Sequence, residues 1–421
     1  MVTAKLPVLA IGILLALETY AIPSSPKYIH GSRSSPSPSS PVLPAATWAS
    51  NSSAKDEFQL QRLAEIARDA VISDVTHNPL RHEGCTQQTM RIRPDWRAFT
   101  RKEKKAYIKS VLCLQDLPSQ TPNELAPGTK SRYDDFVATH INQTLIIHYT
   151  GTFLAWHRHF VWSFEQALRN ECSYTGDMPY WNWGADVDEM EKSEVFDGSD
   201  TSMSGNGAYI PNQPDVKLVL GGYPDIYLPA GSGGGCVTSG PFKDYILSMG
   251  PADLVVPGRN ISVSPHPLDY NPRCLRRDLT SAILQKFNKF SDIVDLITKS
   301  NDVWDFEMTM QGFPDSGVIG VHGGGHFAMG GDPGRDVFVS PGDPAFWHHH
   351  AMIDYVWWIW QNLNWEARGD AISGTGTFLN EPPSANTTLD TVIDAGYAGG
   401  DPIAMKDIMS TTAGPYCYIY V

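Results

Sequence analysis

The chain has 421 residues, 42% of them hydrophobic, a length and composition that can bury a large core and permit more than one domain without requiring it. Its formal net charge of −14 excludes a nucleic-acid or anionic-membrane footprint, which needs Lys and Arg clustered on one face. The only dense basic run, RKEKK at 101–105, reads as a solvated helix face.

At the N-terminus a single Lys5 precedes an apolar run from Leu6 to Leu17 and a short polar segment ending in Ala21. This pattern over 1–21 predicts a secretory signal, too short to span a bilayer, and no later segment has transmembrane length. Residues 22–55 are rich in Pro and Ser and read as a linker or propeptide. The folded unit is expected over 56–421 as one domain. Six cysteines, even in number and without C-x-x-C spacing, suit an oxidising compartment and predict three disulfides whose pairing the sequence leaves open. Sequons at Asn51, Asn142, Asn260 and Asn386 agree with secretion and glycosylation.

Phe58, Leu60, Leu63, Ala67 and Ala70 recur at helical spacing, and a second helix fits RKEKKAYIKSVLCL after Thr100 as its cap. SRYDDFVATHINQ forms another helix carrying His140, with His148 in a short segment beyond it. The strongest pattern is FLAWHRHFVWSFEQALRNEC, Phe153 to Cys172, where Phe153, Trp156, His157, Phe160, Val161, Phe164 and Leu168 share a stripe. His159, about 200° away from His157, reads as a structural or surface histidine. Residues 185–275, rich in Gly, Pro, Asp and Ser, read as long surface loops rather than a second domain. Then come VHGGGH, with His322 and His326 four apart, and PGDPAFWHHHAMIDYVWWIW at 341–360.

Two groups of three inward-facing histidines emerge, without a carboxylate or cysteine at ligand spacing, and all-imidazole sites suit zinc or copper. Zinc hydrolysis through H-E-x-x-H fails because HGGGH has glycine where the general base must stand, and no G-x-S-x-G turn supports an esterase. Each glycine costs about 1 kcal/mol against alanine in a helix, so a helix here must be held by packing or metal. Consecutive helical residues differ by about 100°, so His348, His349 and His350 cannot converge on one point. Asp354, one turn beyond His350, is placed to accept a ring N–H and fix that histidine's tautomer. His350 is therefore the ligand candidate, His349 a neighbour of substrate or ligand, and His348 structural. Trp357, Trp358 and Trp360 read as core.

At these residues the sequence resembles the type 3 copper proteins: tyrosinases, catechol oxidases and hemocyanins. THINQ, HYTGTFLAWHR and Glu165 match the family's first copper motif. His322 and His326 with Asp343, Pro344, Phe346, His350 and Asp354 match the second. The resemblance runs from about Arg91 to PYCYIYV, whose Tyr416 and Tyr418 are similar to the tyrosine motif closing the catalytic domain. It implies a mainly α fold, a four-helix-bundle core with long irregular loops and few short strands. It implies two copper ions held by His140, His148 and His157 and by His322, His326 and His350. Dioxygen and a small phenol would be the reactants, an o-diphenol or o-aminophenol leaving as quinone or quinone imine while dioxygen is reduced to water.

Relatives with strong monophenol hydroxylation have an acidic residue before the second site and an asparagine after its first histidine. The equivalents here are Gln311 and Gly323, neither of which can act as a base, so weak or absent hydroxylation is expected. Gly323 and Phe327, adjacent to ligands, are candidates for shaping the pocket. No C-terminal lid domain is expected beyond the tyrosine motif, and activity without proteolytic cleavage is expected with it. The alternatives are a true tyrosinase, a tailoring phenol oxidase acting on an elaborate phenol, and a hemocyanin-like oxygen-binding protein.

Overall fold

In a computed structural model of the chain, residues 52–82, 84–218, 223–252 and 266–421 are described, all within one compact unit. The expected signal, most of the expected linker, and the sequons at Asn51 and Asn260 lie outside them. Helix α1, Ser52–His77, begins inside the expected linker and ahead of the anticipated boundary at Asp56. Its buried face is Leu60, Leu63, Ala67, Val71 and Val75, while Phe58 and Ala70, counted in the predicted stripe, are exposed.

Helix α2, Arg101–Asp116, starts in a capping box in which the Thr100 side chain accepts from the Glu103 amide and Glu103 accepts from the Thr100 amide. Of RKEKK, Lys104 departs from the solvated reading: it is buried, paired with Glu194, and lies 5.4 Å from the Trp96 ring. Helix α3, Arg132–Ile147, opens on a second capping box, Ser131 with Asp134. Helix α4 spans Phe153–Cys172, the predicted range, and stops at left-handed Ser173. Cys113–Cys172 staples the ends of α2 and α4.

Helices α5, Ser281–Phe287, α6, Phe290–Lys299, and α7, Val303–Gln311, lead to α8, Gly320–Met329, the HGGGH helix. The last long helix is α9, Phe346–Asn362, followed by α10, Trp365–Arg368. Helices α3, α4, α8 and α9 carry the histidines and form the bundle core. Trp347 stacks on Phe164 at 3.7 Å and donates to Tyr133 Oη at 3.0 Å, tying α9 to α4 and α3. Trp357, Trp358 and Trp360 are buried, as expected of core.

Among the described residues the strands are short and form only two-stranded pairs. Three of these, Gly207–Tyr209 with Gly234–Val237, Val216–Leu218 with Ile226–Leu228, and Ile246–Leu247 with Arg273–Cys274, brace the long loops, helped by Cys236–Cys274. Arg91–Arg93 runs parallel to Tyr418–Tyr420, beside the Cys85–Cys417 disulfide. All six cysteines are thus in disulfides, and none is free to crosslink to a histidine. No described helix is long and apolar enough to cross a membrane.

Candidate metal centre

His140 sits on α3, His148 caps its C-terminus, and His157 lies one turn into α4; all three are buried. One nitrogen from each falls within 4.8 Å of the others. Each ring is aimed by a backbone carbonyl. His140 Nδ1 donates to Phe338 O at 2.8 Å, His148 Nδ1 to Thr144 O at 2.9 Å and His157 Nδ1 to Phe153 O at 2.8 Å. A carbonyl only accepts, so Nδ1 carries the proton and Nε2 keeps its lone pair. The Nε2 atoms of His140 and His157 are buried without a hydrogen-bond partner.

The second group is His322 and His326 on α8 with His349 and His350 on α9, again with converging nitrogens within 4.8 Å. His326 Nδ1 donates to Gly334 O at 3.0 Å, and its Nε2 faces His350 Nε2 at 3.2 Å. Two nitrogens bound to one ion at about 2.0–2.1 Å and a tetrahedral angle lie roughly 3.3 Å apart, so the spacing is that of two ligands sharing a cation. His350 stacks on His157 at 4.4 Å, and this contact joins the two groups. Nε2 of His322 is buried and unpartnered.

His349 is different from its neighbours. Its Nδ1 accepts the Trp183 indole N–H at 3.1 Å, a side-chain partner where His140 and His157 have a carbonyl, and its Nε2 is buried without a partner. The ring lies against the α8 backbone, where a Cβ on Gly325 would come within 2.3 Å of it. A Cβ on Gly324 would likewise come within 2.0 Å of Asn288 Oδ1. Packing is therefore what holds the glycine-rich helix, and close approach is why those glycines stand there. His348 points away, edge-on to Trp96 and Tyr107 at 4.9 and 5.0 Å, and is structural. His159 is buried and bonded through Nδ1 to Tyr416 Oη at 2.8 Å, also a structural role.

Burial lowers the pKa of every histidine in both groups, to about 4 for His148 and about 3 for His326. Neutral imidazoles are what a metal needs. Unpartnered, deprotonated nitrogens converging in two groups, with no carboxylate in either, fit copper.

Asp354 does not play the part expected of it. It makes no bond to His350, whose Nδ1 has no partner; its oxygens instead bind Arg158 Nε at 2.6 Å, Arg93 at 3.3 Å, Tyr418 Oη at 2.7 Å and Tyr420 Oη at 2.6 Å. Two guanidiniums and two phenols saturate the carboxylate and turn it from the ring. Burial alone would raise its pKa, but Arg158 and Arg93 hold it below the ordinary carboxylate range. Arg93 also pairs with Glu165 at 2.6 Å, which makes Glu165 part of the same network. Asp343 is buried in a two-point pair with Arg277 at 2.8 and 2.6 Å and accepts from the Ala345 amide, setting the entry to α9.

Gly323 and Phe327, one turn apart on α8, are half-buried beside His322 and His326. Gln311 is buried, and its Oε1 accepts the Tyr149 amide at 2.8 Å, so the side chain is committed to backbone rather than aimed at a substrate. Trp183 was missed from sequence because it lies in no histidine motif and only the fold brings it to His349; Tyr149 adjoins His148 in the chain, but nothing local shows its bonds to Gln311.

Comparison with known proteins accords with this geometry. The family described as the common central domain of tyrosinase matches residues 130–363. Tyrosinase P of Aspergillus terreus is 42% identical over 334 residues, covering 78% of this chain and 91% of that protein. N-acetyl-6-hydroxytryptophan oxidase ivoB of Emericella nidulans is 38% identical over 348 residues, covering 80% and 93%. A polyphenol oxidase point mutant from Thermothelomyces thermophila superposes with a TM-score of 0.81 at 40% identity, over 86% of this chain and 98% of that one. The chain belongs to the tyrosinase family of binuclear copper oxidases.

Proposed function

We propose that the protein is a secreted oxidase that converts o-diphenols or o-aminophenols to o-quinones or quinone imines, with weak or absent hydroxylation of monophenols. The observation that carries the reading is the pair of buried all-histidine groups with unpartnered nitrogens, joined by the His157–His350 stack. His140, His148 and His157 would hold one copper, and His322, His326 and His350 the other. Bound copper supplies one-electron redox chemistry, passing two electrons from each of two diphenols to one dioxygen, which leaves as two waters. The protein's part is to present neutral imidazoles and keep the centre dry.

Selectivity against monophenols rests on the missing base. A monophenol must lose its proton before it is attacked, and neither histidine group includes a carboxylate among the described residues. Gln311 cannot serve, being an amide already engaged by Tyr149. Similarity to an oxidase of an N-acetylated hydroxytryptophan favours, as a second reading, a tailoring enzyme whose phenol is part of a larger molecule. Secretion is supported by three disulfides among the described residues and by the exposure of Asn142 and Asn386, as glycosylation requires.

The test is oxygen uptake by copper-loaded enzyme with catechol, 2-aminophenol, tyrosine and an N-acylated hydroxyindole side by side, with His350→Ala as control. Uptake with the first two, little with tyrosine and none in the variant is expected. Tyrosine hydroxylated as fast as catechol is oxidised would refute the selectivity. Turnover of the hydroxyindole alone would favour the tailoring reading, and reversible oxygen binding without any turnover an oxygen carrier.

A further inference from the structure

Tyr149 follows His148 directly and has a φ of 50°, a left-handed backbone that a tyrosine adopts only when its surroundings hold it there. What holds it is Gln311, the last residue of α7. Gln311 Oε1 accepts the Tyr149 amide at 2.8 Å, and the Gln311 backbone carbonyl accepts the Tyr149 hydroxyl at 2.8 Å. From the other side, Tyr149 O accepts the Leu379 amide at 3.3 Å and the Tyr149 ring meets Phe378 at 5.1 Å. The peptide that links His148 to the next turn is gripped between two segments distant in sequence. His148 itself lies just past the regular part of α3, so its backbone is not fixed by the helix ladder on its C-terminal side.

The geometry points to Gln311 as a positioning residue for His148: it anchors the strained residue after the ligand and so fixes where the imidazole stands. This rests on the reading of His148 as a copper ligand. The side chain at 311 then acts through an acceptor oxygen, and its being an amide or an acid is secondary. A carboxylate there keeps an oxygen to accept the Tyr149 N–H.

Three variants separate the possibilities: Gln311→Leu, which removes the acceptor; Gln311→Glu, which keeps it; and His148→Ala. Protein equilibrated against buffered copper is assayed for bound copper per chain, and the apoprotein for amide hydrogen exchange at Tyr149. Gln311→Leu is expected to lose Tyr149 protection and to bind one of its two coppers about 10–100-fold more weakly, the usual effect of removing a group that orients a ligand. Gln311→Glu is expected to retain both. Wild-type copper affinity at both sites in Gln311→Leu would overturn the proposal, as would unchanged Tyr149 protection in that variant. Two tightly bound coppers in His148→Ala would sink the ligand assignment and the proposal with it. Should Gln311→Leu fail to fold, Gln311→Glu with weakened copper binding would still overturn it.

Discussion

Gly325→Ala tests whether His349 is pinned between Trp183 and α8. In an ordinary helix interior this substitution stabilises by about 1 kcal/mol. Here the new Cβ would sit 2.3 Å from Cε1 and Nδ1 of His349, so the ring must move by roughly 1 Å to reach ordinary van der Waals contact. Overpacking of this kind costs about 1–3 kcal/mol. The same movement breaks the 3.1 Å bond from Trp183, leaving a fully buried indole N–H unpaired for a further ~1–3 kcal/mol. The costs outweigh the helix gain, and a net loss of about 1–5 kcal/mol is expected. Denaturant unfolding of the apoprotein measures it, within a double-mutant cycle that includes His349→Ala. In that background the obstruction is gone, and Gly325→Ala should become neutral or stabilising by up to ~1 kcal/mol. A Gly325→Ala protein as stable as wild type, with no coupling in the cycle, would refute the reasoning.

Asp354→Asn leaves two buried guanidiniums without their shared carboxylate and should cost about 3–5 kcal/mol in chemical unfolding, whether or not copper is present. Glu307 is fully buried, and desolvation raises its pKa well above the ordinary value. An acid whose folded pKa is raised favours folding least when ionised, so stability falls as pH rises from about 4.3 toward the folded value. Glu307→Gln should therefore melt higher than wild type at pH 7 and no higher at pH 4, as thermal scans at both values would show. Chelation should abolish oxidation and lower the melting temperature, since bound ligand stabilises by mass action. Copper should restore both, whereas zinc, which has no redox change, should restore at most the stability.

The histidine groups were legible because each is built from local spacing, His322 and His326 four apart and His148 and His157 nine apart; the helix keeps His348 off the site, while His349 as well as His350 brings a nitrogen to the second group. The predicted range of α4 and the cap at Thr100 were legible for the same reason. What sequence could not supply is set by contacts between distant segments. Asp354 sits at the right helical spacing to serve His350, but Arg93 and Tyr420, 261 and 66 residues away, offer its carboxylate stronger partners. Lys104 looked solvated because nothing local shows Glu194 and Trp96 closing over it. Gln311 looked like a pocket residue because its alignment to an acidic position says nothing about a strained amide 162 residues earlier that needs an acceptor.

The parallel pairing of Arg91–Arg93 with Tyr418–Tyr420 bears on how the molecule is made. Arg93 leaves the ribosome 327 residues before Tyr420, with both histidine groups translated in between. A nascent chain can thus have all of its imidazoles on finished helices while Asp354 still lacks both phenols and Arg93 lacks its strand. The arrival of that last strand completes the charge network around Asp354. A polypeptide halted before Tyr418 would carry both histidine groups and yet lack two of the partners that hold Asp354.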